Sequence, residues 1–342
     1  MRILLVVGLS AAAALYAQPR VQARLAPAAA PADPVPSLSL PVMGLIAGDG
    51  PAEVRALVGL PGSATAGDAL AMPEGVRRVH LAPGQATALV ERMGAPVGVL
   101  AFDAASAGAV SEIAGAMTRV DLAGFSPSGA YAVLHSLQGS RIQVIALNGA
   151  TGRVLREFTV AGLAPIHQVT IDDAGEVPVA ITDDGGVYLV GNAAPKLVFR
   201  GATITDAGFI AGVPALLVAD AQARQVTLID HLPDLPAPRV VGMGMENDGQ
   251  LWVRSSTDGK TAFAAGSGRR TVWRIGITSG DTRSVELPED TTGLARLGSG
   301  NTFVFSAAAG GPVWLLLGDD PDLRAVFVPG SGTGVKRGPT RR

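Results

Sequence analysis

The feature that most constrains this chain is a short turn that recurs at a nearly constant interval. Six times along the sequence, a small-residue turn that ends in glycine precedes an apolar strand. The turn glycines are Gly84, Gly129, Gly175, Gly212, Gly259 and Gly300. Successive glycines lie 37 to 47 residues apart, about 43 on average. A repeat of this length indicates one supersecondary unit whose copies bury their apolar faces against one another.

Each period also contains a second hairpin. Its first strand reads "RIQVIALN" or "TVWRIGIT" and its returning strand "RVLREFTV" or "RSVELP". These runs are rich in Val, Ile and Leu, are bounded by Gly, Pro, Asn and Asp, and are too short for helices. With the strands that flank the glycine turn, each period holds four antiparallel strands, which is the pattern of a β-propeller blade. The sequence therefore predicts an all-β fold, a β-propeller of six to seven four-stranded antiparallel blades.

The number of blades depends on the segment before the first full repeat. Six complete blades fit between about Arg77 and Val328. Upstream, "VMGLIAGDGPAEVRALVGL" predicts one more hairpin of the same kind, and we expect it to form a reduced seventh blade. A six-bladed ring with an added hairpin is the alternative. A β-sandwich is a competing architecture, but it gives no reason for the period.

The two ends of the chain differ in composition from the repeats. Arg2, the apolar run from Ile3 to Tyr16 and the small residue Ala17 have the layout of a signal peptide, with an uncleaved anchor as the alternative. We predict a signal peptide over 1–17, an Ala/Pro-rich disordered spacer over 18–41, the propeller over 42–330 and a disordered basic tail over 331–342. The chain has no cysteine, so no disulfide supports it outside the cytoplasm.

This architecture resembles the broad superfamily of secreted WD40-like and YVTN-type propellers, although the repeats carry neither a Trp-Asp ending nor a Tyr-Val-Thr-Asn strand. The stretch "ALNGATGRVL" also resembles part of the blade repeat of quinoprotein dehydrogenases, an Ala-x-Asp-x-x-Thr-Gly turn followed by a docking Trp. Thr151 and Gly152 match that repeat, whereas Asn148 replaces the Asp and Arg156 the Trp. We interpret the stretch as a hairpin turn of the second complete blade. Gly152 is expected to have positive φ, and Asn148 and Thr151 to hydrogen-bond the turn.

A metal in the central channel is the basis of an alternative function, a propeller hydrolase or oxidoreductase. Some propeller enzymes hold calcium or zinc between inner strands, and Asp121, His167 and Asp206 could face a common channel here. Nothing else in the sequence points to catalysis, because there is no Gly-x-Ser-x-Gly elbow and no cysteine. We therefore expect no cofactor and no metal, and a binding module is favoured over an enzyme.

Charged loops are the remaining candidates for a binding site. Propeller ligands most often meet the face formed by the turns between the second and third strands and by the connections between blades, where exposed loops carry function. The candidate ligand-binding residues there are Arg92, Arg141, Asp183, Asp184, Arg224, Arg269 and Arg270. Arginine can pair bidentately with a partner's carboxylate, and the alternative is that these charges only solvate the loops.

These observations lead to one functional expectation. We predict an exported, secreted or periplasmic, non-catalytic propeller that binds an unknown protein or a small ligand. The formal net charge of -2 offers no basis for nucleic-acid binding. After signal removal, no transmembrane span is expected.

Overall fold

The computed structural model describes residues 41–48, 50–103, 106–307 and 311–330. Within these residues the chain forms 27 strands in seven antiparallel sheets, with the strands of each sheet in chain order. The predicted signal peptide, all of the predicted spacer except residue 41, and the predicted tail lie outside the described residues. No helix in the described part of the chain has the length and apolar character needed to cross a bilayer.

The sheets are the blades of a seven-bladed propeller, numbered here in chain order. Blade 1 contains β1 (Val42–Ala47), β2 (Val54–Val58) and β3 (Thr65–Ala69). Blade 2 contains β4 (Val76–Leu81), β5 (Thr87–Arg92), β6 (Gly98–Asp103) and β7 (Ser106–Glu112). Blade 3 contains β8 (Leu122–Phe125), β9 (Tyr131–Ser136), β10 (Arg141–Asn148) and β11 (Thr151–Thr159). Blade 4 contains β12 (Ile166–Ile171), β13 (Pro178–Thr182), β14 (Gly186–Leu189) and β15 (Lys196–Arg200).

The last three blades complete the ring. Blade 5 contains β16 (Ile204–Phe209), β17 (Leu216–Asp220), β18 (Gln225–Asp230) and β19 (Ala237–Met243). Blade 6 contains β20 (Leu251–Ser255), β21 (Thr261–Gly266), β22 (Thr271–Gly276) and β23 (Thr282–Glu286). Blade 7 contains β24 (Ala295–Leu297), β25 (Thr302–Ala307), β26 (Val313–Leu317) and β27 (Arg324–Val328). The propeller prediction is confirmed, and the N-terminal hairpin is the reduced seventh blade, with three strands among the described residues.

The first strand of every blade is innermost, and the alternating strand direction defines two faces. The turns between first and second strands and between third and fourth strands form one face, called the lower face below. The turns between second and third strands and the connections between blades form the opposite, upper face. In blades 2 to 7, a residue's face therefore follows from its place in the blade. Blade 1 runs the other way, because Leu45 in β1 contacts Gln85 in a lower turn, whereas Pro51 in the turn after β1 accepts from the Val79 amide within β4.

Burial follows the position of a strand within its blade. The second strands β13 and β17 are buried at every residue, because both sides of a blade pack against neighbouring blades. They therefore read as continuous apolar runs rather than as alternating ones. The outermost strands β15 and β23 are largely exposed. Seven hydrophobic clusters form the core, one at each seam between neighbouring blades.

The repeated glycine turn has the conformation that explains its recurrence. Five of the six turn glycines have φ between +69° and +81°, a region that side chains other than glycine rarely adopt. In blade 7 the left-handed residue of the turn is Gly298, with φ +65°, and not Gly300. The period was read correctly, but the last glycine was placed two residues too late.

The hairpin within "ALNGATGRVL" corrects one prediction and confirms others. It joins β10 to β11 in blade 3, and the Thr151 hydroxyl donates to the Asn148 carbonyl oxygen at 2.9 Å. The glycine with positive φ is Gly149, at +55°, so the expectation for Gly152 is wrong. Gly152 lies where blade 3 packs on blade 2, and a Cβ there would come within 2.9 Å of Ile113 Cδ1.

Arg156 replaces the docking Trp and also joins two blades. Its Nη2 donates to the carbonyl oxygen of Gly175, which lies in the lower turn of blade 4. The same guanidinium carbon lies 5.9 Å from the centre of the Phe158 ring. A polar contact between blades therefore stands at the position where the quinoprotein repeat has an aromatic one.

Candidate functional site

The seven predicted ligand-binding residues all lie at upper-face turns between second and third strands. Six of them make an ion pair or hydrogen bond with a group in their own blade or in a connection next to it. The pairs are Arg92 with Glu112, Arg141 with Glu157, Asp183 with His167, Asp184 with Arg200, Arg269 with Asp248 and Arg270 with Asp290. Surface ion pairs of this kind contribute about 0–1 kcal/mol each to stability.

Asp184 and Arg224 mark the two extremes among these residues. Hydrogen bonds from Thr182 and then from Arg200 lower the pKa of Asp184 to about 2. The Asp184 carboxylate is therefore ionised throughout the physiological range and is already engaged. Arg224 is exposed, with φ +54°, and makes no ion pair or side-chain hydrogen bond within the described residues. It is the member of the set whose guanidinium is free for an external partner.

The three residues weighed as metal ligands each have another partner. Asp121 Oδ2 accepts a hydrogen bond from the Leu137 amide at 2.8 Å, and His167 Nδ1 lies 3.1 Å from Asp183 Oδ1. Asp206 forms an ion pair with Arg254. Across the described ranges, no group of three or more His, Asp or Glu side chains is arranged to hold a metal ion.

A cavity lies in the central channel. It measures about 540 Å³ and is lined by first-strand residues from all seven blades, mostly from the second halves of those strands, next to the lower face. Its wall is predominantly apolar, with Leu45, Val79, Phe125, Val169 and Phe209 among its residues. None of the seven predicted binding residues lines it. A cavity of this size and character is typical of a small-molecule site.

Two glutamines in the channel wall hold neighbouring blades together. Gln85 of blade 2 accepts from the Leu45 amide at 2.6 Å and donates to the Leu45 carbonyl oxygen at 2.6 Å. Gln168 of blade 4 does the same to Ala207 of blade 5, at 2.9 and 2.7 Å. Each carboxamide thereby satisfies the exposed backbone edge of an innermost strand, as a further strand would. We call this arrangement a carboxamide clamp.

Two arginines are the charged residues among the described part of the cavity wall. Arg254 forms an ion pair with Asp206 and also donates through Nη1 to the Val253 carbonyl oxygen at 2.6 Å. Arg296 donates through Nη2 to the Ser255 carbonyl oxygen and through Nη1 to the Gly300 carbonyl oxygen, the latter at 2.7 Å. Burial, and then the positive charge of Arg254, lower the pKa of Arg296 to about 10. The Arg296 guanidinium therefore still carries positive charge at neutral pH.

Sequence reasoning missed these two arginines. Each stands inside a first strand, in "LWVRSS" and "GLARLG", where an arginine interrupts an otherwise apolar or small-residue run. A charged residue on a predicted innermost strand was the available signal. The sequence prediction instead favoured charged residues in the turns as the binding site.

The upper face carries an apolar feature besides its charges. In blades 2 and 3, the turn between the second and third strands exposes one large apolar side chain. These are Met93 and Leu137, with exposed fractions of 75% and 63%. Two neighbouring blades thus present an apolar side chain on the same face.

No family model matches the chain, and no curated protein matches it. Solved structures do. A candidate 6-phosphogluconolactonase from Bacteroides fragilis aligns with a TM-score of 0.55 at 14% identity, over 87% of this chain and 97% of that one. A functionally unknown protein from Desulfotomaculum acetoxidans aligns with a TM-score of 0.56 at 11% identity, over 85% and 99%.

A third solved structure comes from a different kind of protein. The β-propeller domain of Cps50 (Swd1) from Myceliophteria thermophila aligns with a TM-score of 0.53 at 13% identity, over 76% of this chain and 89% of that one. Likenesses at such low identity show the fold and leave activity open. The chain is a seven-bladed β-propeller, similar in architecture both to the candidate 6-phosphogluconolactonase and to the Cps50 (Swd1) β-propeller domain.

Proposed function

We propose that this chain is an exported, non-catalytic β-propeller that binds a small ligand in its central channel, in the periplasm or outside the cell. The observation that carries the proposal is the apolar cavity of about 540 Å³ enclosed by all seven innermost strands. Pockets of this volume bury most of the surface of a small ligand.

The polar groups of the channel wall support binding rather than catalysis. General acid–base catalysis needs a titratable group within hydrogen-bond reach of the substrate. The described residues that line the cavity include no Asp, Glu, His, Lys or Tyr. Gln85 and Gln168 are occupied in carboxamide clamps. What the wall offers a ligand is an apolar surface, three hydroxyl side chains and two arginines.

Export is supported by the N-terminal sequence alone. We expect the protein recovered from the periplasm of a bacterial host to begin at Gln18, because Ala17 is the small residue that precedes the expected cleavage site. N-terminal sequencing after expression of the full chain measures this. Recovery of an intact Met1 in the membrane fraction would contradict cleavage and support an anchor.

A neutral apolar fluorophore tests channel binding. N-phenyl-1-naphthylamine should bind at a single saturable site, because its rings match an apolar cavity of this size. Ala295 is exposed and lines the cavity, so Ala295→Trp should fill the channel and weaken the dye affinity at least about tenfold, given about 1.4 kcal/mol per decade.

The matched control is Ala223→Trp, an exposed alanine on an upper turn, which should leave the affinity unchanged. Equal affinities for the two variants would contradict a site in the channel.

A second candidate function is the docking of a partner protein on the upper face. It rests on Met93 and Leu137, which two neighbouring blades expose on that face, with the seven charged turn residues as a polar surround. Replacing both apolar residues by Ser should abolish crosslinking to a periplasmic partner. Leu235→Ser is the control, because Leu235 is 79% exposed on a lower turn.

A further inference from the structure

We propose that the channel ligand is an organic anion whose carboxylate, sulfonate or phosphate group is bound by Arg254 and Arg296, with its apolar part against the channel wall. This inference rests on the proposed function, because it assigns a chemical class to the ligand of the same cavity. It is carried by the sign of the charges that face the cavity and by the hydrogen-bond donors that remain unused there.

The first argument is the sign of the charge. Among the described residues that line the cavity, the charged ones are both arginines. One carboxylate, that of Asp206, pairs with Arg254 from behind the wall, and its side chain is only 6% exposed. Arg296 forms no ion pair within the described residues, and the nearby Asp319 accepts a hydrogen bond from Asn301 Nδ2 at 2.6 Å instead. The wall therefore presents an uncompensated positive charge to the cavity.

The second argument is the position of the two guanidinium groups. Arg254 lies on β20 in blade 6 and Arg296 on β24 in blade 7. Arg296 bonds to the carbonyl of Ser255, the residue that follows Arg254. The two arginines thus stand side by side in adjacent blades. Like charges held this close repel each other, and an anion placed between them would relieve that repulsion.

The third argument is the count of donors. A guanidinium has five N–H groups in a planar fork. The bonds to Asp206 and Val253 use Nη1 of Arg254, which leaves its Nε and Nη2 without a protein partner in the described part of the chain. Arg296 likewise keeps its Nε unused. None of these nitrogens is among the buried polar atoms that lack a partner, so they remain accessible.

These donors match the acceptors of a carboxylate, sulfonate or phosphate group. Arginine forks bind such groups with two parallel hydrogen bonds, and charge-assisted bonds are roughly twice as strong as neutral ones. The apolar wall beside them suits a ligand with an aliphatic or aromatic body. A small inorganic anion would leave most of the cavity unfilled.

The test compares two dyes that share one ring system. 8-Anilino-1-naphthalenesulfonate carries a sulfonate, and N-phenyl-1-naphthylamine is its neutral counterpart. The sulfonate dye should bind at least about tenfold more tightly, because only this dye can accept a charge-assisted hydrogen bond from a guanidinium. Added NaCl should weaken the sulfonate dye and leave the neutral dye unchanged.

Variants then assign the preference to the two arginines. Arg254→Met and Arg296→Met should each remove most of the preference for the sulfonate dye and leave the neutral dye within about twofold. Arg283→Met, which removes an exposed arginine on the outermost strand β23, should change neither dye. If a Met variant also loses the neutral dye through misfolding, Arg254→Lys and Arg296→Lys decide instead. These lysines keep the positive charge, so the salt dependence of sulfonate-dye binding should remain. The affinity for that dye should fall, because lysine cannot form the two parallel hydrogen bonds of a guanidinium.

The outcomes separate this inference from the proposed function. Binding of the neutral dye without any preference for the sulfonate dye overturns the anion assignment and leaves channel binding standing. A sulfonate preference that survives both Met substitutions also overturns it. Failure of both dyes to bind the wild-type protein overturns the proposed function and the inference together.

Discussion

The same carboxamide clamp stands at two seams of the ring that differ in apolar packing. Gln168 joins blades 4 and 5, where the described residues form a cluster of twelve buried apolar residues. Gln85 joins blade 2 to blade 1, where the corresponding cluster has three buried members, Leu45, Val54 and Ala56, with half-buried neighbours around them. The polar contact is the same, whereas the hydrophobic support is not.

The seam between blades 1 and 2, called the sparse seam below, has a carboxamide clamp that also contacts a third blade. Gln85 Oε1 also accepts from the Gly298 amide at 2.9 Å, and its Nε2 lies 3.4 Å from the Arg296 carbonyl oxygen. A single side chain thus connects blades 1, 2 and 7, where the ring closes on its three-stranded blade. The difference teaches that closure at this point depends on directional hydrogen bonds, while the rest of the ring is held mainly by apolar burial.

The largest expected effect is on apolar packing. Leu216→Ala at the seam of blades 4 and 5 should lower the free energy of unfolding by about 2–5 kcal/mol, because it opens a cavity among fully buried neighbours. Leu45→Ala at the seam of blades 1 and 2 should cost less, because half-buried neighbours can relax into the space. Urea unfolding measures both. Equal losses would contradict the difference in packing.

The next effect separates the two clamps. Gln85→Leu and Gln168→Leu keep the side-chain volume but leave a buried backbone N–H and C=O without hydrogen-bond partners. Each unsatisfied group should lower the free energy of unfolding by about 1–3 kcal/mol. Gln85→Leu should cost more, since it also frees the Gly298 amide. Hydrogen exchange should accelerate at the Leu45 and Gly298 amides in this variant, and at the Ala207 amide in Gln168→Leu. If amide exchange accelerated equally throughout the protein in both variants, the result would contradict local opening of the individual seams.

The smallest expected effect is a pH dependence at the sparse seam. Burial raises the pKa of Glu91, but the hydrogen bond and charge of His80 and the charge of Arg78 outweigh it, so the pKa lies below its usual 4.5. A carboxyl whose folded pKa is depressed adds stability above its unfolded pKa and loses it as pH falls through the folded value. Melting temperatures between pH 6 and pH 3 should therefore fall less steeply for Glu91→Gln than for the wild type.

His80→Ala provides the check on that result. Removing the hydrogen-bond partner should raise the pKa of Glu91 and flatten the acid limb in the same way. An acid limb that neither substitution alters would show that other carboxyls set the pH response.

Local patterns made the architecture predictable. A left-handed turn position favours glycine, and a strand buried on both sides favours an apolar run. Each blade therefore repeats the same local pattern about every 43 residues. The reduced blade was also visible, because its hairpin lacked a full repeat. Where a second glycine lay within two residues, as at Gly298 and Gly300, the pattern could not tell which one has positive φ.

The site could not be read in the same way. The upper-face charges were identified because charged turns are conspicuous, yet six of the seven pair with groups close to them in the fold. Arg254 and Arg296 are 42 positions apart and meet only because adjacent blades bring equivalent strands together.

The sequence by itself thus determined the repeat and the strands and limited the number of blades to six or seven, because turn geometry and strand burial act over a few neighbouring residues. Only the tertiary structure decided which polar side chains use their hydrogen-bonding groups to join neighbouring blades and which keep donors free toward the channel. Gln85 lies in the turn after a first strand, and Arg296 lies on a first strand. Whether such a side chain clamps a neighbour or offers a free donor depends on the distance to another blade, which no local pattern records.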